Sequence, residues 1–129
     1  MNRIKPKVIQ EVGFDFSWDE KKVWQIKAPI EQMDIAELVW HLHVPFLWQK
    51  PGGYYDLTPH QVLQNPARYA DECARVQSAD TSYPIDIMKW RGRWVILDGL
   101  HRLMKLYESG AKQIEVRKIP ISYINDIRK

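Results

Sequence analysis

The chain has 129 residues, of which 45% are hydrophobic and 27% charged, and its formal net charge is +3. This length and apolar content predict one folded domain and argue against a disordered chain. The apolar runs are too short to span a membrane, and the amino end lacks the apolar segment of a signal peptide. The single cysteine, Cys73, leaves no internal disulfide. We therefore expect a cytoplasmic protein.

The amino-terminal part predicts an arm followed by a short strand. Residues 1–22 are mixed and charged, and we expect a loosely held arm whose aromatic face docks on the rest of the domain. The aromatic residues of this arm alternate at Phe14, Phe16 and Trp18. Residues 23–27 alternate in polarity and predict a strand that Pro29 ends.

The next segment predicts a helix with one apolar face. Asp34 followed by Glu37 has the spacing of a capping box, which marks a helix start. The apolar positions recur with helical spacing at Ile35, Leu38, Val39 and Leu42. Pro45 ends the helix near residue 43 or 44. Residues 49–55 contain proline and two glycines and predict a flexible surface loop, or a cover if a site lies nearby.

Two more helices are predicted by proline-containing starts. Thr58 is an N-cap, Pro59 occupies the first helical position and Gln61 completes a capping box. Asn65 ends this helix, and the proline after it begins the next, over residues 66–76. Small residues are expected on the buried face of the second helix, namely Ala67, Ala70, Cys73 and Ala74.

The carboxyl-terminal half predicts a hairpin, a helix, a strand and a last short helix. Residues 84–90 and 93–97 form the hairpin around a turn at residues 91 and 92. A helix follows the hairpin and ends at Gly110. Residues 114–119 predict a strand, and a short helix is expected from the spacing of Ile121, Ile124 and Ile127. The predicted fold class is α+β, a small mixed sheet with helices packed around it.

The corner at residues 98–102 carries the residues best suited to binding an anion. There a strand's carboxyl end meets a helix's amino end, where unpaired N–H groups and the helix dipole favour negative charge. Gly99 has no Cβ, so a ligand can approach the main chain closely. Arg102 and His101 can supply charge-assisted hydrogen bonds to a phosphate.

Structural roles are the alternative for the same residues. Asp98 could cap the helix, and Arg102 could pair with Glu115 or with Asp86. Farther along the chain, His41 and His43 are two residues apart and point in different directions on a helix, so we do not expect them to share a metal ion. Several basic residues form either a solvated rim or a funnel for a phosphorylated ligand or nucleic acid, namely Lys89, Arg91, Arg93, Arg117 and Lys118.

The carboxyl-terminal half resembles the ParB/sulfiredoxin superfamily. The signature of that family is a glycine followed by a basic pair at the start of a helix, then a second glycine and an extended segment. Here these features are Gly99 with His101 and Arg102, then Gly110, then residues 114–120. The resemblance covers about residues 55–120.

The resemblance implies a nucleotide ligand, because partition proteins of the family hold CTP, sulfiredoxin uses ATP and a related domain phosphorylates free serine. By position, the backbone of Gly99 and Leu100 would cradle a phosphate, and His101 and Arg102 would bind its oxygens. Asp98 would hold a Mg²⁺ ion or orient His101. Asp98 and His101 are thus the candidate catalytic residues.

The chain also departs from the family pattern. Leu100 stands where sulfiredoxin has its cysteine, and Cys73 is distant in sequence, so sulfinic acid repair is not expected. The partition proteins carry a helix-turn-helix domain after this one, and none is seen here, so specific DNA recognition is unsupported. They also have two arginines where this chain has His101 and Arg102, so a preference for cytidine does not carry over.

We therefore expect binding of a nucleotide or other phosphorylated small molecule at residues 98–102. One alternative is phosphoryl transfer or phosphodiester cleavage with Mg²⁺, which needs a carboxylate base. The candidates for that base are Glu31, Asp34, Asp56 and Asp86. A second alternative is a non-catalytic interaction module, such as a homodimer, with residues 46–48 in its contact surface. No membrane partner is expected.

Overall fold

A four-stranded mixed sheet forms the centre of the protein. The computed structural model describes residues 4–129. The strands are β1 (Ile30–Asp34), β2 (Ile85–Trp90), β3 (Arg93–Asp98) and β4 (Gln113–Lys118). Their order in the sheet is β1-β4-β2-β3. The pairs β1/β4 and β2/β3 are antiparallel, whereas β2 and β4 run parallel.

Short helices cover this sheet, so the predicted combination of helices and a small mixed sheet is confirmed. The α-helices are α1 (Lys7–Glu11), α2 (Glu20–Gln25), α3 (Pro59–Gln64), α4 (Ala70–Ser78), α5 (Leu100–Glu108) and α6 (Ile124–Ile127). The 3₁₀ turns are Ile35–Glu37, Val39–His43 and Ile121–Tyr123. Within residues 4–129 every helix is too short or too polar to cross a lipid bilayer.

Both faces of the sheet are buried. On one face Ile85 and Ile87 pack with residues of α3, α4 and α5. On the other face Met88 and Val95 pack with the amino- and carboxyl-terminal segments. Successive strand residues point to opposite faces, so β2 needs apolar residues at consecutive positions to serve both layers. The site described below lies where these layers meet at the end of β3.

The amino- and carboxyl-terminal segments are joined to each other. Trp18 and Arg128 form an antiparallel bridge. Asp19 N donates to Ile127 O at 2.8 Å, and Lys129 N donates to Ser17 O at 3.2 Å. Of the segment predicted as a loosely held arm, residues 1–3 lie outside the described part. The remainder buries the side chains of Ile9, Phe14 and Phe16.

The predicted strand over residues 23–27 is wrong, because residues 23–25 are the last residues of helix α2 and Ile26 is its C-cap. Asp19 caps the helix by accepting a hydrogen bond from Lys21 N at 2.9 Å. The helix buries Val23 and leaves Trp24 55% exposed. A segment of five residues is too short for alternation to distinguish a strand from one turn of helix, and the cap lies outside that window.

The helix predicted from Asp34 is instead a pair of 3₁₀ turns. Asp34 does act as the cap, but it accepts from Ala36 N rather than forming a capping box with Glu37. The two turns meet at Leu38, and the second ends before Val44. The predicted apolar face is confirmed in burial, since Ile35, Leu38 and Leu42 are in the core.

The capping box at Thr58 is confirmed, but the start and face of the next helix are not. Thr58 and Gln61 make both reciprocal bonds, and α3 ends before Asn65. Residues 66–69 form a turn, so α4 begins at Ala70 rather than at the proline. The small residues predicted to form the buried face are exposed at Ala67, Ala70 and Ala74. The buried face instead carries Glu72 and Val76, which are four residues apart and so share one side of the helix.

The hairpin and the elements after it match the prediction. Arg91 and Gly92 have φ of +53° and +83°, as a tight two-residue hairpin turn requires. Helix α5 ends at residue 108, and the predicted Gly110 after it has φ of +83°. Strand β4 and the short helix α6, with Ile127 buried, also agree with the sequence.

Candidate functional site

The corner between β3 and α5 depends on Gly99. This residue is the N-cap of α5 and has φ of +118°. A Cβ at this position would lie 3.2 Å from Cγ1 and Cγ2 of Ile85. The first bond of the helix runs from Leu103 N to Gly99 O at 2.9 Å. The N–H groups of Leu100, His101 and Arg102 therefore have no acceptor within the helix, and Gly99 has no side chain to cap them.

These N–H groups border a cavity of about 570 Å³. Asp98, Gly99, Leu100, His101 and Arg102 all line it. The cavity also receives side chains from the amino-terminal segment, the 3₁₀ turn Val39–His43 and the residues after it, the 49–55 loop and α4. The basic and aromatic lining residues from these segments include Lys5, Phe14, Trp18, Phe46, Tyr55 and Arg75. The sequence-predicted corner thus opens on a space large enough for a small ligand.

Arg102 is held in place by the protein itself. Its Nη1 donates to Pro84 O at 2.6 Å, and its Nη2 donates to Asp98 Oδ2 at 3.1 Å. The pairings with Glu115 or Asp86 considered from the sequence are not formed. A guanidinium has five N–H donors, so a fixed Arg102 still has donors for a ligand in the cavity.

Asp98 also accepts a hydrogen bond from Trp24 Nε1, at 2.8 Å and on the same Oδ2. It does not cap α5, since Gly99 stands at the N-cap position. Asp98 therefore fixes two side chains of the corner, Arg102 and Trp24. The expectation that it orients His101 is wrong.

His101 is oriented by Glu72 of helix α4. The imidazole Nε2 lies 2.8 Å from Glu72 Oε2, and Arg75 Nη1 lies 3.6 Å from Glu72 Oε1. Glu72 is 7% exposed. The sequence interpretation missed this residue because it placed small residues on the buried face of α4. The only local signal is that Glu72 and Val76 are four residues apart, and an acidic residue does not mark a buried face by itself.

The other walls of the cavity are basic and aromatic. Lys5 Nζ donates to Phe14 O at 3.2 Å and to Phe16 O at 2.9 Å. Burial lowers the pKa of Lys5, and the nearby Asp15 carboxylate opposes this effect. Arg75 is 61% exposed, so its side chain can turn toward a ligand.

The loop over residues 49–55 contributes one aromatic ring to this site. Tyr55 lines the cavity and has a positive φ of 48°, which is uncommon for a residue with a side chain. Burial raises the pKa of Tyr55, and Tyr54 adds to the effect. The loop is closed at its base by a bridge between Leu47 and Leu57.

His41 is a structural residue at the back of the cavity. Its Nδ1 lies 2.7 Å from Leu38 O, and its Nε2 accepts from Ile96 N at 3.1 Å. Burial lowers the pKa of His41 to about 3, with Leu38 O opposing and Arg93 adding to the shift. Both ring nitrogens are occupied by the protein, whereas His43 is exposed and contacts His60.

The residues of the corner fit a Mg²⁺ ion poorly. Within residues 4–129, no group of three or more His, Cys, Asp or Glu side chains is arranged to hold a metal ion. Asp98 is already bonded to Arg102 and Trp24. The four carboxylates considered as a base, Glu31, Asp34, Asp56 and Asp86, are all outside the lining of the cavity.

Several basic residues expected at the surface have partners within the protein. Arg117 is partly buried and donates to Asp86 Oδ1 at 2.6 Å, to Ile26 O and to Val23 O. Arg91 pairs with Asp15, and Lys118 Nζ lies 3.5 Å from Glu31 Oε1. These pairs weaken the funnel interpretation of the hairpin.

The thiol of Cys73 lies away from the corner. Its Sγ is 3.7 Å from Val62 O, and Cys73 is not a lining residue of the cavity. Partial burial, with help from Glu108 and Glu72, raises the pKa of this thiol. A thiol with a raised pKa is a poor nucleophile at neutral pH.

Comparison of the chain with protein-family models, with curated proteins and with solved structures finds no match.

Proposed function

We propose that the protein binds a nucleotide or another phosphorylated small molecule in the cavity beside Gly99. One observation carries this proposal. The unpaired N–H groups at the start of α5 and three basic side chains, Lys5, Arg75 and Arg102, border the same 570 Å³ space.

The phosphate would be bound at the end of α5. Backbone N–H groups of Leu100, His101 and Arg102 point from an uncapped helix start, where the helix dipole favours negative charge. Arg102 is pre-oriented by Pro84 O and Asp98, so it loses little freedom on binding. Arginine forms two parallel hydrogen bonds to phosphate oxygens, which suits this arrangement.

The aromatic wall favours a phosphate that carries a planar ring. Phe14, Trp18, Phe46 and Tyr55 line the cavity together with the basic residues. Phe14 contacts Phe46 with ring centroids 4.7 Å apart, and Trp18 with centroids 5.7 Å apart. Aromatic rings stack well on nucleobases, so ATP and CTP are the first ligands to test.

We also propose kinship with the ParB/sulfiredoxin superfamily. What supports it is the position of the Gly99–Arg102 motif between a strand and a helix, followed by Gly110 and by β4. The parallel pairing of β4 with β2 places that strand beside the hairpin.

Thermal unfolding with a ligand panel tests the binding proposal. At a ligand concentration 100 times Kd, binding stabilises a protein by about 2.7 kcal/mol, which raises the Tm of a chain this size by roughly 10 °C. We expect such a shift with at least one of ATP, CTP, ADP, AMP and pyrophosphate. Arg102→Ala and Arg75→Ala are each expected to reduce it.

Arg68→Ala is the matched control, because Arg68 is an exposed arginine outside the cavity lining that lies over the ring of Tyr69. It should leave the ligand shift intact. Arg75→Ala is included because Arg102→Ala could reduce the ligand-induced shift in Tm by unfolding the corner rather than by removing a contact with the ligand. Absence of any shift across the panel, with the protein folded, would contradict the proposal.

The interaction-module alternative has less support. Of residues 46–48, Leu47 is buried and Phe46 lines the cavity, so Trp48, 46% exposed, is the main available contact. A mass that rises with protein concentration, together with no ligand shift, would favour that alternative.

A further inference from the structure

A buried carboxylate stands directly behind the imidazole of His101. Glu72 is 7% exposed, and its Oε2 lies 2.8 Å from His101 Nε2. Glutamate is rarely buried unless it is paired. Here the partners are His101 and, at 3.6 Å, the more exposed Arg75. The contact joins α4 to the first turn of α5, next to the proposed phosphate position.

The pairing determines the protonation pattern of the ring. An ionised carboxylate only accepts hydrogen bonds, so Nε2 carries the hydrogen. In the neutral imidazole Nδ1 then holds a lone pair. Among residues 4–129, no hydrogen-bond partner of Nδ1 is present, and His101 lines the cavity. His101, a lining residue of the cavity in which a phosphorylated ligand is proposed to bind, therefore carries a basic nitrogen.

We propose that His101 is the general base of a phosphohydrolase site and that Glu72 is its positioning residue. This inference rests on the proposed function. A water oxygen forms a bond to the phosphorus of the bound phosphoanhydride, and the bond from phosphorus to the leaving oxygen breaks. The proton of the water passes to His101 Nδ1 and is then returned to the leaving group or to solvent. The products are inorganic phosphate and the shortened nucleotide, or two phosphates from pyrophosphate.

The surroundings suit this step. Arg102 and Arg75 border the same cavity and can offset the negative charge that builds on the transferred phosphoryl oxygens. Asp98 is less suited to act as the base, because its Oδ2 accepts from both Arg102 and Trp24. Within the described residues 4–129, no hydrogen bond to Nδ1 of His101 competes in this way.

Phosphate release from ATP, CTP and pyrophosphate, with and without added Mg²⁺, tests the proposal. We expect the native protein to release phosphate and His101→Asn to lower kcat at least about 100-fold, the usual contribution of a general base. Glu72→Gln keeps an acceptor for Nε2 but removes the charge, and should lower kcat about 10-fold or more with little change in KM.

The pH dependence separates a base from a structural residue. The native rate should rise with pH across the range where imidazole groups lose their proton, and the residual rate of His101→Asn should lack that rise. His43→Asn and Asp71→Asn are matched controls, since both are exposed residues outside the cavity lining and Asp71 precedes Glu72 in α4. Neither should change the rate.

A second measurement does not depend on finding the substrate. Nitrogen-15 NMR of the native protein should show His101 with hydrogen on Nε2, and Glu72→Gln should weaken this preference. His101→Gln serves as a second variant if His101→Asn proves unfolded by circular dichroism.

The outcomes distinguish the two proposals. Ligand-dependent stabilisation without any phosphate release would overturn the hydrolytic role and leave the binding proposal standing. Turnover that needs Mg²⁺ and Asp98 but survives His101→Asn would also overturn it, in favour of metal-dependent transfer. No stabilisation by any ligand would remove the binding proposal and this inference with it.

Discussion

Between pH 7 and pH 4 the protein is expected to lose about 3 kcal/mol of stability through His41 alone. The imidazole is 1% exposed, and burial lowers its pKa to about 3, against 6.5 for an unperturbed histidine. Between these two values the unfolded chain binds a proton at His41 and the native protein does not. Stability therefore rises with pH through this window and falls on acidification.

The measurement is urea unfolding at a series of pH values from 7 to 4. His41→Gln removes the titrating group but can still accept a hydrogen bond from Ile96 N. We expect this variant to be less stable at pH 7 and to have a shallower pH dependence. His43→Gln is the control, because His43 is exposed. Equal pH slopes in the native protein and His41→Gln would contradict the prediction.

Replacing Arg117 by Met is expected to cost about 3–5 kcal/mol, the usual penalty for removing one partner of a buried ion pair. Arg117 and Asp86 side chains are 14% and 5% exposed, and Nε lies 2.6 Å from Oδ1. The same guanidinium donates to Ile26 O and Val23 O, which lie at the end of α2. Its loss leaves Asp86 charged and unpaired beside the apolar layer that contains Val23.

A double variant isolates the cause of this loss. Asp86→Leu combined with Arg117→Met removes both charges, so it should be more stable than Arg117→Met alone when measured by chemical denaturation. Lys118→Met is the control, because the side chains of its pair with Glu31 are 33% and 42% exposed and a surface pair should contribute less than about 1 kcal/mol. A double variant less stable than Arg117→Met would show that the carbonyl contacts, rather than the unpaired charge, dominate.

The sequence predicted best those elements whose ends carry local signals. Thr58 with Gln61, the turn at Arg91 and Gly92, and Gly110 each determine backbone geometry within four residues. The predictions made there are confirmed. The corner at Gly99 belongs to the same class, since a strand end, a glycine and a helix start are all local features.

The sequence was a poor guide to the elements and side-chain pairings that depend on contacts between distant segments. Residues 23–25 are helical rather than extended because Asp19 caps α2 and Val23 packs in the second layer. The inward face of α4 is set by Glu72 meeting His101, 29 positions later in the chain. The basic residues of β4 could not be assigned either, because the buried partner of Arg117 comes from β2. Such pairings emerge only when the sheet order is known.

The contacts between the amino- and carboxyl-terminal segments connect the carboxyl terminus with the wall of the ligand cavity, two regions that the sequence alone does not associate. Trp18 pairs with Arg128, and its Nε1 also donates at 2.9 Å to Leu97 O, one residue before Asp98. The last residues of the chain thus help to hold an indole in the wall of the ligand cavity. Ligand binding and the order of this wall are thermodynamically linked, so a ligand that requires the wall also stabilises the backbone hydrogen bonds of the terminal segments. Slower amide hydrogen exchange at Arg128 and Lys129 would then indicate that the ligand is bound.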